Sequence, residues 1–337
     1  MAARELLAPL RLGGIEEVLG PAAGRFFGAG YRRADYTVAD VVLPGTPDED
    51  ATAVVDMTYP ADWSRKKTGV DLRPHLSSVD ILVLGAQLAE AHLASALGLD
   101  GAAGERMWLR KAVLRAGLTP QEDLIGLPAS ARRVAAEPVG PGLVVSVVDT
   151  QVGAMRARLE IEHDASNGPA RPGRHASIDD VLGPAADRYF GTGFQTRGQL
   201  LDDVEVTADA ATASVGVDGD RAWTGLGAGY GPGVSFVDCF VVCLQLAQVL
   251  MYRMDRVARG ESNTLWMLNT TLSAARAARP WERRMPARTA IRGSHLLAVR
   301  GGTWRNVDID GELGGVELRS SLAHELPADR GREGNGR

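Results

Sequence analysis

At 337 residues the chain is long enough for two domains of about 150 residues each. Its apolar share of 45% can fill two cores, and its net charge of −5 argues against a general nucleic-acid binder. Two cysteines, Cys239 and Cys243, lie one helical turn apart, which excludes a disulfide framework and suits small apolar core residues.

In chain order, residues 1–14 (MAARELLAPLRLGG at the start) are expected as a lead-in with no apolar stretch long enough for a signal peptide, so a cytoplasmic location fits. Residues 15–31 read IEEVLGPAAGRFFGAGY, and residues 178–194 repeat them as IDDVLGPAADRYFGTGF. A repeat of this length points to a duplicated domain rather than a solenoid unit. The register persists: Asp80 and Asp238, Gln87 and Gln245, and Trp108 and Trp266 are each 158 positions apart, and Trp63 and Trp223 are 160 apart. The first repeat is assigned to residues 15–163 and the second to 178–326. Between them, residues 164–177 are rich in Gly, Pro and polar side chains and are expected as a linker; residues 327–337 are expected as a flexible tail.

Within each repeat the pattern is the same. A strand-like stretch (53–59; 204–217) is followed by one long apolar helix (79–97; 237–257). Further strand-like segments come next (107–116, 143–148 and 154–162; 264–273, 289–299 and 303–318). Met155, Ala157 and Leu159 alternate with Arg156, Arg158 and Glu160, which predicts a strand with one buried face. The most apolar run, 234–251, is interrupted by Asp238, Gln245 and Gln248, so it reads as a core helix and not a membrane span. One buried helix with consecutive strands predicts an α+β fold, an antiparallel sheet curled around its helix in each repeat.

The helix starts carry a resemblance. Residues 232–238 (PGVSFVD) are similar to the segment of hotdog-fold β-hydroxyacyl-thioester dehydratases in which a Pro-Gly precedes a catalytic acid. The first repeat has PHLSSVD at 74–80, with His75 in place of the glycine. Through its VLGPAAGRFFGAGY opening and its two SVD/FVD helices, the whole chain resembles the avirulence protein D family, and more distantly the A-factor biosynthesis proteins. The resemblance implies a tandem (double) hotdog. It also implies chemistry on a β-ketoacyl thioester, joined to a small sugar or polyol as in syringolide-type acyl glycosides.

The candidate residues follow from that chemistry. Amides at a helix N-terminus can hold a thioester carbonyl oxygen, and Gly233 would allow close approach. Asp238 and Asp80, just inside each helix, could move protons if their pKa values are tuned; each could also simply complement its helix dipole. The dehydratase histidine, about fourteen residues before the acid, is missing: Lys66 and Thr224 stand near those places. His75 is then the candidate base, against the alternative of a surface histidine. His92 reads as structural, and His295 is a weak candidate. Tyr230 could donate to a carbonyl or pack. Trp63 and Trp223 could line an acyl tunnel or fill the core. Gln87 and Gln245, amides within apolar helices, need partners from a turn or a substrate. Lys66, in the cluster 65–67, could meet a pantetheine phosphate or an acidic carrier, although a solvated loop explains it as well.

No Walker loop, GxSxG elbow or metal-ligand spacing is present, and no cofactor or metal is expected. The expected partners are an acyl-CoA or acyl carrier protein thioester and a small sugar or polyol, with no nucleic acid and no membrane; a homodimer is compatible. The preferred reading is one working site, with Asp238 and His75 handling protons and the Gly233 amide holding the carbonyl. Two alternatives stand beside it: a dehydratase, isomerase or cyclase acting on a carrier-bound polyketide-like chain, and a non-enzymatic acyl-binding module.

Overall fold

The computed structural model describes residues 8–64, 73–166, 168–219, 221–230, 233–261, 265–277, 282–299 and 302–327. Eight strands precede the second repeat: β1 (Leu10–Gly14), β2 (Asp35–Leu43), β3 (Ala51–Thr58), β4 (Trp108–Arg115), β5 (Leu127–Gly140), β6 (Leu143–Val152), β7 (Met155–Asp164) and β8 (Gly173–Ser177). Six follow: β9 (Gln199–Val206), β10 (Ala210–Val217), β11 (Trp266–Ala274), β12 (Met285–Val299), β13 (Gly302–Leu313) and β14 (Val316–Glu325). All fourteen form one sheet, in the order β1-β9-β10-β12-β13-β14-β11-β4-β7-β6-β5-β3-β2-β8.

That order is a palindrome under the duplication. Each strand of one half has its repeat-related counterpart at the mirrored place, and the sheet is continuous because β11 pairs with β4 at its centre (Thr271 opposite Val113). The outermost strands are exchanged. β1 precedes the first repeat yet pairs with β9 of the second (Leu10 opposite Val206), while β8 precedes the second repeat and pairs with β2 of the first (Leu43 opposite Gly173). The segments read from sequence as lead-in and linker therefore each carry an edge strand. The stretch 204–217 is a hairpin of β9 and β10 rather than one strand. Strand β7 buries Met155, Ala157, Leu159 and Ile161 on one face, as its alternation predicts.

Two long helices, Ser78–Ala96 and Phe236–Asp255, carry the core. Each starts at a serine (Ser77, Ser235) whose hydroxyl accepts the amide of the aspartate three residues on, and that aspartate's carboxylate accepts the serine's own amide. This reciprocal cap fixes where each helix begins. The first helix lies on β2 and β4–β7, the second on β9–β14. Both are long and apolar enough to cross a membrane, but 94% and 89% of their apolar windows are buried inside the protein, so they are core helices. One hydrophobic cluster runs through both halves.

The two helix–sheet contacts solve the same steric problem in opposite ways. In the first half the helix supplies Gly85, where a Cβ would come within 2.6 Å of Thr150 Oγ1 on the sheet. In the second, the sheet supplies Gly311, where a Cβ would come within 2.5 Å of Cys243 Sγ on the helix. Cys243 stands 158 positions after Gly85, so small and large residues have traded sides at one close approach.

Candidate active site

The duplicated helix starts hold their aspartates in different cages. Asp80 is fully buried and accepts hydrogen bonds from the Tyr36 hydroxyl (2.7 Å), the Tyr59 hydroxyl (2.8 Å) and the Ser77 amide (2.7 Å). No cation is paired with it among the described residues. Burial pushes its pKa upward, against the opposing pull of those donors. Asp238 is equally buried but faces Arg197, whose Nη2 lies 2.9 Å from its Oδ2. Gln199 donates to its Oδ1 at 2.8 Å, and the Ser235 amide and hydroxyl donate to its Oδ2 at 2.9 and 2.8 Å. Gln199 occupies the place of Tyr36 one repeat later, so one substitution pattern turned a tyrosine cage into an ion-pair cage.

A cavity of about 120 Å³ opens at the start of the first helix. Its near wall is Trp63, His75, Ser77 and Ser78; its far wall comes from the second half, through Phe240 and Gln248 of the second helix and Trp266 and Met267 of β11. Arg25, Phe26, Phe27 and Arg259 also line it. This is well below the roughly 300–1,000 Å³ of drug-sized pockets. It suits the reacting end of a substrate and not a whole acyl chain.

Three features of this wall bear on chemistry. His75 is half-buried, its ring edge-on to Trp63 with centroids 5.7 Å apart. Its Nδ1 lies 3.2 Å from the Arg73 carbonyl. A carbonyl can only accept, so Nδ1 carries the hydrogen and Nε2 holds the basic lone pair. Second, the helix cap uses the Ser77 and Asp80 amides, the Ser78 amide has no partner among the described residues, and Ser78 is one of the residues that line the cavity. Third, Ser77 ties this wall to the Asp80 cage, because its amide donates to Asp80 Oδ2 at 2.7 Å and its hydroxyl accepts from the Asp80 amide.

The mirror-image position is filled. A 3-10 helix, Gly225–Tyr230, packs there, and Leu226 is fully buried with its amide donating to Glu90 Oε1 at 2.9 Å. Gly225 is required by that approach: its φ is +69°, and a Cβ would meet the Glu90 carboxylate at 2.0 Å. Burial raises the Glu90 carboxyl to a pKa of about 7.

The remaining expectations sort as follows. His75 and Trp63 line the cavity; Asp80 stands behind its wall; Asp238 and Gly233 do not line it. The cavity does not bring His75 together with Asp238 and Gly233: Asp238 is held by Arg197, Gln199 and Ser235, and the Gly233 carbonyl accepts from Arg197 at 3.0 Å. Trp223 is buried beside Tyr189 with Arg221 over its ring, and it is not among the residues that line this cavity. Gln87 and Gln245 find arginines across the halves: Arg188 Nη1 donates to Gln87 Oε1 at 2.9 Å, and Arg25 Nη1 to Gln245 Oε1 at 2.5 Å. His92 is buried with Nε2 at 2.8 Å from the Pro47 carbonyl, a structural role. Lys66 lies outside the described residues, as does the Tyr230 side chain. The sequence reading passed over Arg25 and Arg188, which recur at the same place in the duplicated opening, and also Tyr36, Tyr59 and Arg197.

Several solved structures are similar at low identity. The tesB protein of Mycobacterium avium subs paratuberculosis shares 12% identity over 82% of this chain and 93% of its own, with a TM-score of 0.38. An acyl-CoA thioesterase II from Mycobacterium marinum shares 12% over 72% and 91%, with a TM-score of 0.32. The dehydratase domain of a mycocerosic acid synthase-like polyketide synthase shares 16% over 87% and 96%, with a TM-score of 0.34. No curated protein matches the chain. The family model described as Pseudomonas avirulence D protein (AvrD) matches residues 11–327, nearly the full length, and the chain belongs to that family.

Proposed function

We propose that the protein is an acyl-thioester enzyme whose reacting centre is the His75 cavity, and that it transfers the acyl group to a hydroxyl of a small sugar or polyol. Its frame in this reading is a tandem double hotdog, residues 15–163 and 178–326, with the edge strands β1 and β8 exchanged between halves. The observation that carries the reading is that His75, whose lone pair is on Nε2, and Ser78, the first residue of a capped helix, line one cavity.

The chemistry then balances without a cofactor. The thioester carbonyl oxygen accepts a hydrogen bond from the Ser78 amide, where the helix dipole favours the negative charge that develops in the transition state. His75 Nε2 removes the proton of the acceptor hydroxyl as its oxygen attacks the carbonyl carbon. The C–O bond forms, the C–S bond breaks, and the imidazolium returns its proton to the departing thiolate. With a β-ketoacyl donor the product can cyclise onto its own acceptor. Asp80 acts as a positioning residue: its carboxyl holds Ser77, and with it the start of the helix. Asp238 and Arg197 hold the second helix start in the same structural capacity.

The test is turnover of a thioester panel with and without sugar and polyol acceptors, read by mass spectrometry. A general base contributes about 10²–10⁴-fold to rate, so His75→Ala and His75→Gln are expected to lose at least about a hundredfold while keeping the fold. Wild-type turnover in His75→Ala, or thioester binding without turnover in the native protein, would overturn the proposal; the second result would mark an acyl-binding module.

A further inference from the structure

Glu90 is a buried acid that the chemistry at His75 does not use, and it lines a second cavity. This cavity measures about 470 Å³ and shares no lining residue with the first. It lies between the later turns of the first long helix and the opening of the second repeat, with Leu43, Leu99, Val181 and Leu182 as its apolar lining. Glu90 Oε1 accepts the Leu226 amide, and its Oε2 takes no hydrogen bond among the described residues.

Four more carboxylates line the cavity: Asp100, Glu105, Asp180 and Asp187. Three of them have local partners. Asp100 caps the short helix Gly101–Arg106, Asp180 accepts the Ser177 amide at 2.9 Å, and Asp187 pairs with Arg221 at 2.9 Å. The only Lys or Arg among the described lining residues is Arg171, and its guanidinium donates to the Ala94 and Leu99 carbonyls. Arg188 is near enough to favour ionised Glu90, but it commits its donors to Asp179, Gly183 and Gln87.

The other half carries its own cation at the matching place. Arg259 and Gln248 correspond to Gly101 and Glu90 at the offset of 158, and Gly24 corresponds to Asp187 at the offset of 163 that relates the two openings. There the Arg259 guanidinium reaches the opening of the repeat, donating to the Gly24 carbonyl at 3.0 Å. In the first half a glycine stands in the arginine's place, and a Cβ added to it would meet nothing within 4 Å. The two neutral neighbours have become acids. A positive side chain is thus exchanged for space, and its uncharged surroundings for carboxylates. A buried carboxylate facing such a space is costly unless a counter-charge meets it.

We propose that this second cavity binds a small organic cation, an ammonium or guanidinium on a short carbon stem, with Glu90 as its counter-charge. The stem packs on the leucine and valine lining, and the charged head takes the place that an arginine fills in the other half. A bare metal ion suits the site less, since no group of three metal-ligating side chains occurs among the described residues. The proposal does not rest on the acyl-transfer reading.

The experiment is calorimetric titration of the full chain with n-butylammonium, n-butylguanidinium and n-butanol at about pH 8 and about pH 6. At least one of the two cations is expected to bind saturably, and n-butanol at least fivefold more weakly. Burial holds the Glu90 pKa at about 7, so its carboxyl is roughly nine-tenths ionised at the higher pH and one-tenth at the lower, and cation binding is expected to weaken severalfold between them. Glu90→Gln is expected to weaken binding at least fivefold at about pH 8 and to flatten that pH step. His175, which also lines the cavity, is unchanged in this variant, so a step that survives whole belongs to it and overturns the role of Glu90. Gly101→Arg, on an exposed residue, supplies the cation of the other half and is expected to block binding at least fivefold. No saturable binding of either cation, equal binding of n-butanol, or a loss below fivefold in either variant would overturn the site. The readout is binding at a cavity that His75 does not line, so its failure and a failure of turnover are separate results.

Discussion

Glu90→Gln makes the sharpest energetic prediction. Glu90 sits within the first long helix, 5% exposed, with its Oε1 accepting the Leu226 amide at 2.9 Å. Burial, opposed by that amide and by Arg188, lifts its pKa from 4.5 to about 7. The folded protein therefore keeps this proton to higher pH than the unfolded chain does. The resulting stabilisation is complete below about pH 4.5 and is lost as pH rises through about 7. A shift of about 2.5 units at 1.36 kcal/mol per unit is worth about 3 kcal/mol. Gln cannot titrate, can still accept from Leu226, and is the residue the chain itself carries at the equivalent position 248. Urea unfolding of both proteins at about pH 5 and pH 8 checks this. The stability of Glu90→Gln relative to wild type is expected to rise by up to about 3 kcal/mol across that range. His92 and His163, whose pKa values burial lowers, work in the opposite direction, but equally in both proteins, so the difference isolates Glu90. A difference that stays flat to within about 0.5 kcal/mol would refute the reasoning.

Other outcomes follow from the same geometry. Asp238→Asn leaves Arg197 buried without its counter-charge and is expected to cost about 3–5 kcal/mol in chemical denaturation, more than Asp80→Asn, which leaves no cation stranded. Gly311→Ala places a methyl against Cys243 and is expected to cost about 1–3 kcal/mol, and Cys243→Ala in the same chain should return much of it; additive costs in a double-mutant cycle would show that the two do not touch. Removing residues 1–14 strips β1 from β9 and bares a sheet edge, so size-exclusion chromatography is expected to show self-association; a monodisperse, equally stable product would count against the edge exchange.

What was legible in the sequence was whatever repeats or has a local period. The duplicated opening, the register of 158 positions and the alternation of β7 located both helices to within two residues at each end. The family too was visible in the opening and the helix starts. What stayed hidden was pairing between distant positions. Leu10 and Val206 meet across nearly 200 residues, and nothing local in either five-residue edge strand announces its partner. Strand β5, LPASARRVAAEPVG, has no strong strand former over most of its exposed length, and pairing alone makes it a strand. At the site, the presence of acids at both helix starts was readable, but their different uses were not. Arg197 lies 41 positions before Asp238, and its counterpart in the first repeat, Ala34, offers no cation to Asp80. Gln87 and Gln245 are amides that need partners, for which the sequence offers a turn or a substrate. Those partners are arginines of the opposite repeat, a relation that only the folded pair of halves creates.

The most direct test of where the chemistry happens is a structure of the protein with a non-cleavable thioester analogue, a ketone replacing the thioester. The account predicts its carbonyl oxygen within hydrogen-bond distance of the Ser78 amide, with the His75 ring alongside. An analogue seated instead against the second helix start at Gly233, with the His75 cavity empty, would contradict it.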